Sequence, residues 1–235
     1  MKSNKTIKID DSLIRGSVRE ALGTSRKPLP EAYVTQAKSY ALPTEMLSDK
    51  NKKVNQDVLN SIVDFTNRVS AELDTVDRLE ANMYNSRFRS LKVDESYLVN
   101  NSFLTALCFD NISDMSSTVS MDSLVFMRLE RDFGTFDAWQ EDFIACALSS
   151  RDGYVMTVYS NFLRRYINLV VDEGNQGILA SSIPTIVLKC SPGTYFRDYL
   201  GDRKSYIFAM MKELNWDVIE SRFKKADKVA EIMQK

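Results

Sequence analysis

PTIVLKCSPGTYF, residues 184–196, runs from an apolar burst, Ile186 to Leu188, straight through Lys189, Cys190, Ser191, Pro192 and Gly193 into an aromatic pair. Short runs rich in β-branched residues read as strands, and a polar turn with Pro and Gly ends them. A strand that ends in a polar turn before a helix is a common place for functional groups. Here that place holds a lysine, a proline and a glycine.

Working outward, YVMTVYS (154–160) and RRYINLVVD (164–172) are two further β-rich runs separated by a short turn. They predict an antiparallel hairpin, with PTIVLK as the third strand. Upstream, 121–131 reads as a helix. TFDAWQEDFIACALSS (135–150) reads as another, stopped off by Gly134, capped by Thr135, and carrying Phe136, Trp139, Phe143 and Ala147 on one face. Short helices are expected over 195–200, 206–214 and 216–223, with a charged tail helix to Ile232. Towards the N-terminus, 48–73 predicts a long helix capped by Ser48, whose Val54, Val58, Ile62, Phe65, Val69 and Leu73 face the core. A second helix is expected over 95–112, burying Leu98, Phe103, Leu104, Leu107 and Cys108, after a polar link at 84–92. The expected class is α+β: an N-terminal helical hairpin followed by a three-stranded antiparallel sheet with helices. The expected division is an extension at 1–46, with a short helix near 12–22, a hairpin domain at 47–118 and an α/β domain at 119–235.

Composition narrows the chemistry. Of 235 residues, 44% are hydrophobic and 27% charged, and the net charge of −1 argues against broad nucleic-acid binding. No run of about 18 apolar residues predicts a membrane span, and the N-terminus has neither a secretory core nor, with Asp10 and Asp11, a transit-like composition. Cys108, Cys146 and Cys190 are far apart and read as reduced, mostly buried thiols. There is no histidine, so His-dependent triads, dyads and metal sites are excluded.

Three stretches together resemble the iron/manganese superoxide dismutases. LERDFGTFDAWQEDFIACALSSRDG (129–153) is similar to the family's ERDFGS segment with its small-residue helix and glycine. NWDVIESRF (215–223) is similar to the C-terminal NWD-x-x-x-x-RF, with Tyr206-Ile207 nine residues before Asn215. PTIVLKCSPGTYF then falls without a gap on the family's P-x-x-x-x-D-x-W-E-H-A-Y-Y. The resemblance covers about residues 47–224. It implies one Fe or Mn ion on three histidines and an aspartate. The positions corresponding to those ligands are Lys189 for the aspartate, Gly193 for the following histidine, Asn101 in NNSF for the second-helix histidine, and Asn55 or Gln56 in the first helix. Ser191 and Pro192 stand at the family's Trp and Glu, and the loss of that glutamate puts the family's dimer in doubt. Gln176 in GNQG matches the glutamine beside metal-bound solvent in the manganese type.

The expectation that follows is a non-catalytic relative, no enzyme and without cofactor, that serves as a structural subunit among the protein subunits of a large assembly. A phage virion is the leading assembly, in a virion or host cytoplasm. The alternative is the mitochondrial small ribosomal subunit, with a local RNA contact for which FLRRY (162–166), Arg203 and Lys204 are candidates. A further alternative is a metalloenzyme or new chemistry at a rebuilt site. Lys189 is expected to pair with a carboxylate or with backbone carbonyls, because an unpaired buried ammonium is costly.

Overall fold

The computed structural model describes residues 35–233. The short helix expected near 12–22 and most of the 1–46 extension lie outside them. The described elements are α1 (Asp49–Thr75), α2 (Arg87–Asp110), α3 (Leu124–Phe133), α4 (Phe136–Ser149), β1 (Gly153–Ser160), β2 (Arg165–Asp172), β3 (Ser182–Lys189), α5 (Pro192–Tyr199), α6 (Arg203–Lys212) and α7 (Trp216–Met233). The class is α+β with one three-stranded antiparallel sheet. The chain divides into two compact units, one comprising 36–65 with 96 onward, the other Thr35 with 66–95.

In the larger unit the sheet order is β2-β1-β3, with both pairings antiparallel. β1 is central and buried along its whole length. Gly153 opens it because a Cβ there would lie 2.0 Å from the Val171 carbonyl oxygen. Local chemistry sets the helices before it. Ser123 Oγ accepts from the Phe126 N–H to cap α3, and Gly134, at φ +90°, ends it. Thr135 Oγ1 accepts from Ala138 N–H to cap α4. α4 then buries Trp139, Phe143 and Ala147, as its spacing predicts. Trp139 Nε1 donates to Thr157 Oγ1 at 2.9 Å, and that hydroxyl donates to Asn168 Oδ1 at 2.7 Å, so the indole N–H is not stranded in the core.

The C-terminal motif residues hold α7 in place. Asn215 Oδ1 accepts from Val218 N–H at the helix start. Arg222 is buried and donates to Asn111 Oδ1, Thr185 O and Leu107 O. Phe223 stacks on Tyr166 with ring centroids 4.3 Å apart. The segments 216–223 and the tail, expected as separate helices, form one helix to Met233, because nothing between Phe223 and Val229 breaks the backbone ladder.

Two expectations about the long helices are corrected. In the larger unit α1 buries Asn51, Asn55, Leu59 and Val63, at i, i+4 spacing, while Val58 and Phe65 are 42% and 53% exposed. Over this part of α1 the apolar stripe is not the buried face, since the buried amides have acceptors waiting for them: Asn51 Nδ2 and Asn55 Nδ2 both donate to Thr194 O. Leu73, in the smaller unit, is buried as expected. In α2 Leu104 and Cys108 are buried as expected, but Phe103 is exposed and Asn101, Thr105 and Phe109 share the buried side. α2 begins at Arg87 rather than near 95, because Ser86 Oγ accepts from Arg89 N–H and starts the helix there.

In the smaller unit, Thr35 exchanges two hydrogen bonds with the Asn67 side chain, each 2.9 Å. Arg87 forms a bidentate pair with Glu72, both bonds 2.6 Å. Arg78 donates to the Leu73 carbonyl at 2.7 Å.

Candidate functional site

The polar cluster at the end of β3 is built by β1, β3 and α2. Antiparallel register sets Lys189 opposite Tyr154, and alternation sends both side chains to one face of the sheet. Lys189 is 8% exposed. Its backbone N–H donates to Cys108 Sγ at 3.3 Å, and its carbonyl accepts from Tyr206 Oη at 2.8 Å. Its Nζ donates to Thr105 Oγ1 at 3.3 Å and lies 5.8 Å from the Tyr154 ring centroid. Thr105 Oγ1 and Tyr154 Oη are 2.8 Å apart, and Tyr154 Oη donates to Asn101 Oδ1 at 3.0 Å. Asn101 Nδ2 donates in turn to Tyr97 O at 2.9 Å. A hydrogen-bonded row therefore runs from Lys189 through Thr105 and Tyr154 to Asn101.

Burial sets the protonation tendencies here. It lowers the Lys189 pKa, favouring the neutral amine, and pushes the Cys108 thiol up to about 11. The Tyr154 and Tyr206 phenols are raised for the same reason and stay protonated.

The remaining predicted positions fall as follows. Asn55 Nδ2 donates to Asn51 Oδ1 at 3.0 Å and to Thr194 O at 3.2 Å, next to Gly193. Gln56 instead donates to Lys38 O and Asn60 Oδ1, away from that cluster. Gly193 is exposed, and a Cβ there would find only Ser191 Oγ, at 3.8 Å. Gln176 is exposed on the turn after β2 and is joined to Asp172 through backbone bonds. The neighbour that reaches Asn101 is Gly174, where a Cβ would come 2.2 Å from Asn101 Nδ2. The partner of Lys189 is a threonine hydroxyl, not the expected carboxylate or carbonyl, because the face of α2 beneath it carries Thr105 and Cys108. Thr105 and Tyr154 were not singled out in the sequence. The i, i+4 step from Asn101 to Thr105 and the β1 alternation were the signals that could have found them. Arg203, a candidate for a surface contact, donates to Ser150 Oγ and Cys190 O.

The ion that the resemblance implies can be tested against this donor set. Iron and manganese sites need imidazole and carboxylate donors. The corresponding positions offer an amine or ammonium, the Asn101 amide with both its oxygen and its nitrogen already bonded, the neutral Asn55 amide with its nitrogen bonded, and a glycine. Among the described residues no group of three or more His, Cys, Asp or Glu side chains could hold a metal ion. The residues do not fit the ion at these positions.

Residues 122–222 match the family model for the C-terminal domain of iron/manganese superoxide dismutases. The chain is 31% identical to the superoxide dismutase [Fe] of Aquifex aeolicus over 164 residues, 70% of this chain and 76% of that protein. The chain belongs to the iron/manganese superoxide dismutase family. It is also 28% identical to the superoxide dismutase [Fe] of Cupriavidus metallidurans, over 67% of this chain and 78% of that one. A superoxide dismutase [Mn] of Haloferax volcanii matches at 32% over 99 residues, 42% of this chain and 49% of its own. These relatives overturn one expectation. The chain was read as no enzyme, yet the proteins it matches are named as superoxide dismutases, an enzyme family, and that reading is withdrawn.

Proposed function

We propose that this superoxide dismutase family member serves as a protein subunit of a large assembly, with a phage virion as the leading candidate. The observation that carries the reading is the β1–β2 turn. There Phe162 is 88% exposed and Leu163 50% exposed, side by side at a tip held by hydrogen bonds. Single exposed apolar residues are ordinary, but an aromatic and a leucine presented together on a fixed turn are suited to a partner surface. The net charge of −1 favours a protein partner over RNA. Assembly through this scaffold does not depend on what the Lys189 cluster does. Sedimentation of the native protein from its source, with mass spectrometry of the fraction that carries it, tests the reading. Co-migration with capsid or tail proteins supports a virion. Co-migration with ribosomal proteins replaces it with the mitochondrial small subunit. A free monomer or dimer removes both.

A second reading is favoured by Lys189. A buried amine of lowered pKa, beside two hydroxyls, is the kind of group that acts as a base or nucleophile. On this reading the rebuilt site supports chemistry of its own. Trapping of Lys189 by small aldehydes with borohydride, read by mass spectrometry, tests it. An unlabelled Lys189 under conditions that label surface lysines counts against it.

A further inference from the structure

We propose that copies of this chain bind one another head to tail, the β1–β2 tip of one copy seating in the groove between α4 and α6 of the next. The proposal rests on the assembly reading and adds the contact.

The tip is preorganised. Arg164 N–H donates to Ser160 O at 2.8 Å, and Leu163 N–H donates to Ser160 Oγ at 3.2 Å. Asn161 binds Ser181 O through its backbone N–H, 3.1 Å, and its Nδ2, 3.0 Å. Arg164 sits at φ +55° to close the turn. Phe162 and Leu163 thus project without a large ordering cost on binding. Arg164 is exposed and makes no side-chain ion pair among the described residues, while Arg165 donates to Asp132 O.

The groove offers an apolar floor and, on its α4 rim, the opposite charge. It has a volume of about 440 Å³ and is lined by Asp137, Gln140, Glu141, Ile144, Leu148 and Phe208. Leu148 and Phe208 are 42% and 40% exposed. Asp137 and Glu141 stand exposed on the α4 rim, and Lys204 lies 5.8 Å from the Phe208 ring on the α6 side. Apolar side chains next to an arginine meet an apolar floor with two carboxylates on its α4 rim. Phe162 and the groove are both open within one chain, so a tip meets the groove of a different copy. Two different surfaces in contact make a heterologous interface, which propagates as a ring or an open chain.

Sedimentation velocity of the purified full chain over a concentration series tests this. The wild type is expected to shift to larger sedimentation coefficients as concentration rises. Phe162→Asp and Leu148→Asp, both at exposed positions, are each expected to lose that shift with an unchanged circular dichroism spectrum. Mixed in equal amounts, they are expected to give one-to-one dimers and nothing larger, since each supplies the face the other lacks. Arg164→Glu is expected to weaken association, and Glu141→Arg in the same chain to restore it. A wild type that stays monomeric throughout, association untouched by Phe162→Asp, or closed two-fold dimers would overturn the proposal. Particle association in native extract by a chain that is monomeric when pure would overturn this contact and leave the assembly reading standing.

Discussion

Lys189 carries two N–H donors as the neutral amine and three as the ammonium, and it donates to the Thr105 hydroxyl at 3.3 Å. An amine taken out of water with so little compensation costs stability. Lys189→Met, close in length and apolar, is expected to raise stability by roughly 1–3 kcal/mol. A lower midpoint in thermal unfolding would show that the amine is better satisfied than this geometry allows. Tyr154→Phe acts in the opposite direction. It removes the bridge between Thr105 and Asn101 and leaves a buried amide oxygen without its donor. The expected loss is about 1–3 kcal/mol, measured by denaturant unfolding, and a neutral result would mean that water takes the place of the phenol. The same residues fix the expectation for metal: a chain refolded with Fe or Mn and then desalted is expected to retain far less than one ion, and one ion per chain would show a donor set other than this one.

Helix α1 meets α5 through a cluster that answers to pH. Asp198 accepts from Ser48 Oγ at 2.7 Å, Ser48 N–H at 2.9 Å and Asn51 Nδ2 at 3.0 Å. Partial burial alone would raise its pKa, but these donors outweigh it and hold the carboxyl below the ordinary 3.8. A folded pKa below the unfolded one contributes stability above pH 3.8 that is lost as pH falls through the folded value. Asp198→Asn is therefore expected to be less stable than the wild type at neutral pH, with the gap closing as the solution is acidified below that point. A gap that does not change with pH would assign the effect to geometry alone. At the other end of the core, Phe223→Ala removes the ring stacked on Tyr166 and is expected to cost about 3–5 kcal/mol in urea unfolding.

These elements also mark how far the sequence could be read. The sheet and α4 were legible because β-rich runs, the Thr135 cap and the Gly134 stop are local signals, while α3 begins at Leu124, after the Ser123 cap, rather than at 121. The buried face of α1 was not legible, since apolar spacing marks Val58 and Phe65 while the buried side carries Asn51 and Asn55, whose acceptor is 139 residues away for Asn55. The site divides in the same way. The position of Lys189 at the end of β3 follows from the motif, whereas its pairing with Thr105 depends on how α2 crosses the sheet and has no local signature.

At the scale of the whole molecule, the chain keeps the family's core motifs in structural roles, with Trp139, Arg222 and Phe223 tying helices to the sheet, while apolar side chains stand outward at the tip and in the α4–α6 groove. No described helix is long and apolar enough to cross a membrane. From such a surface we propose that the chain works in company with other protein subunits. Sedimentation of the native protein from its source tests that claim most directly. The chain is expected to run with a multi-subunit particle whose other proteins co-migrate with it in constant ratio. A chain found wholly as a free monomer or dimer would contradict it.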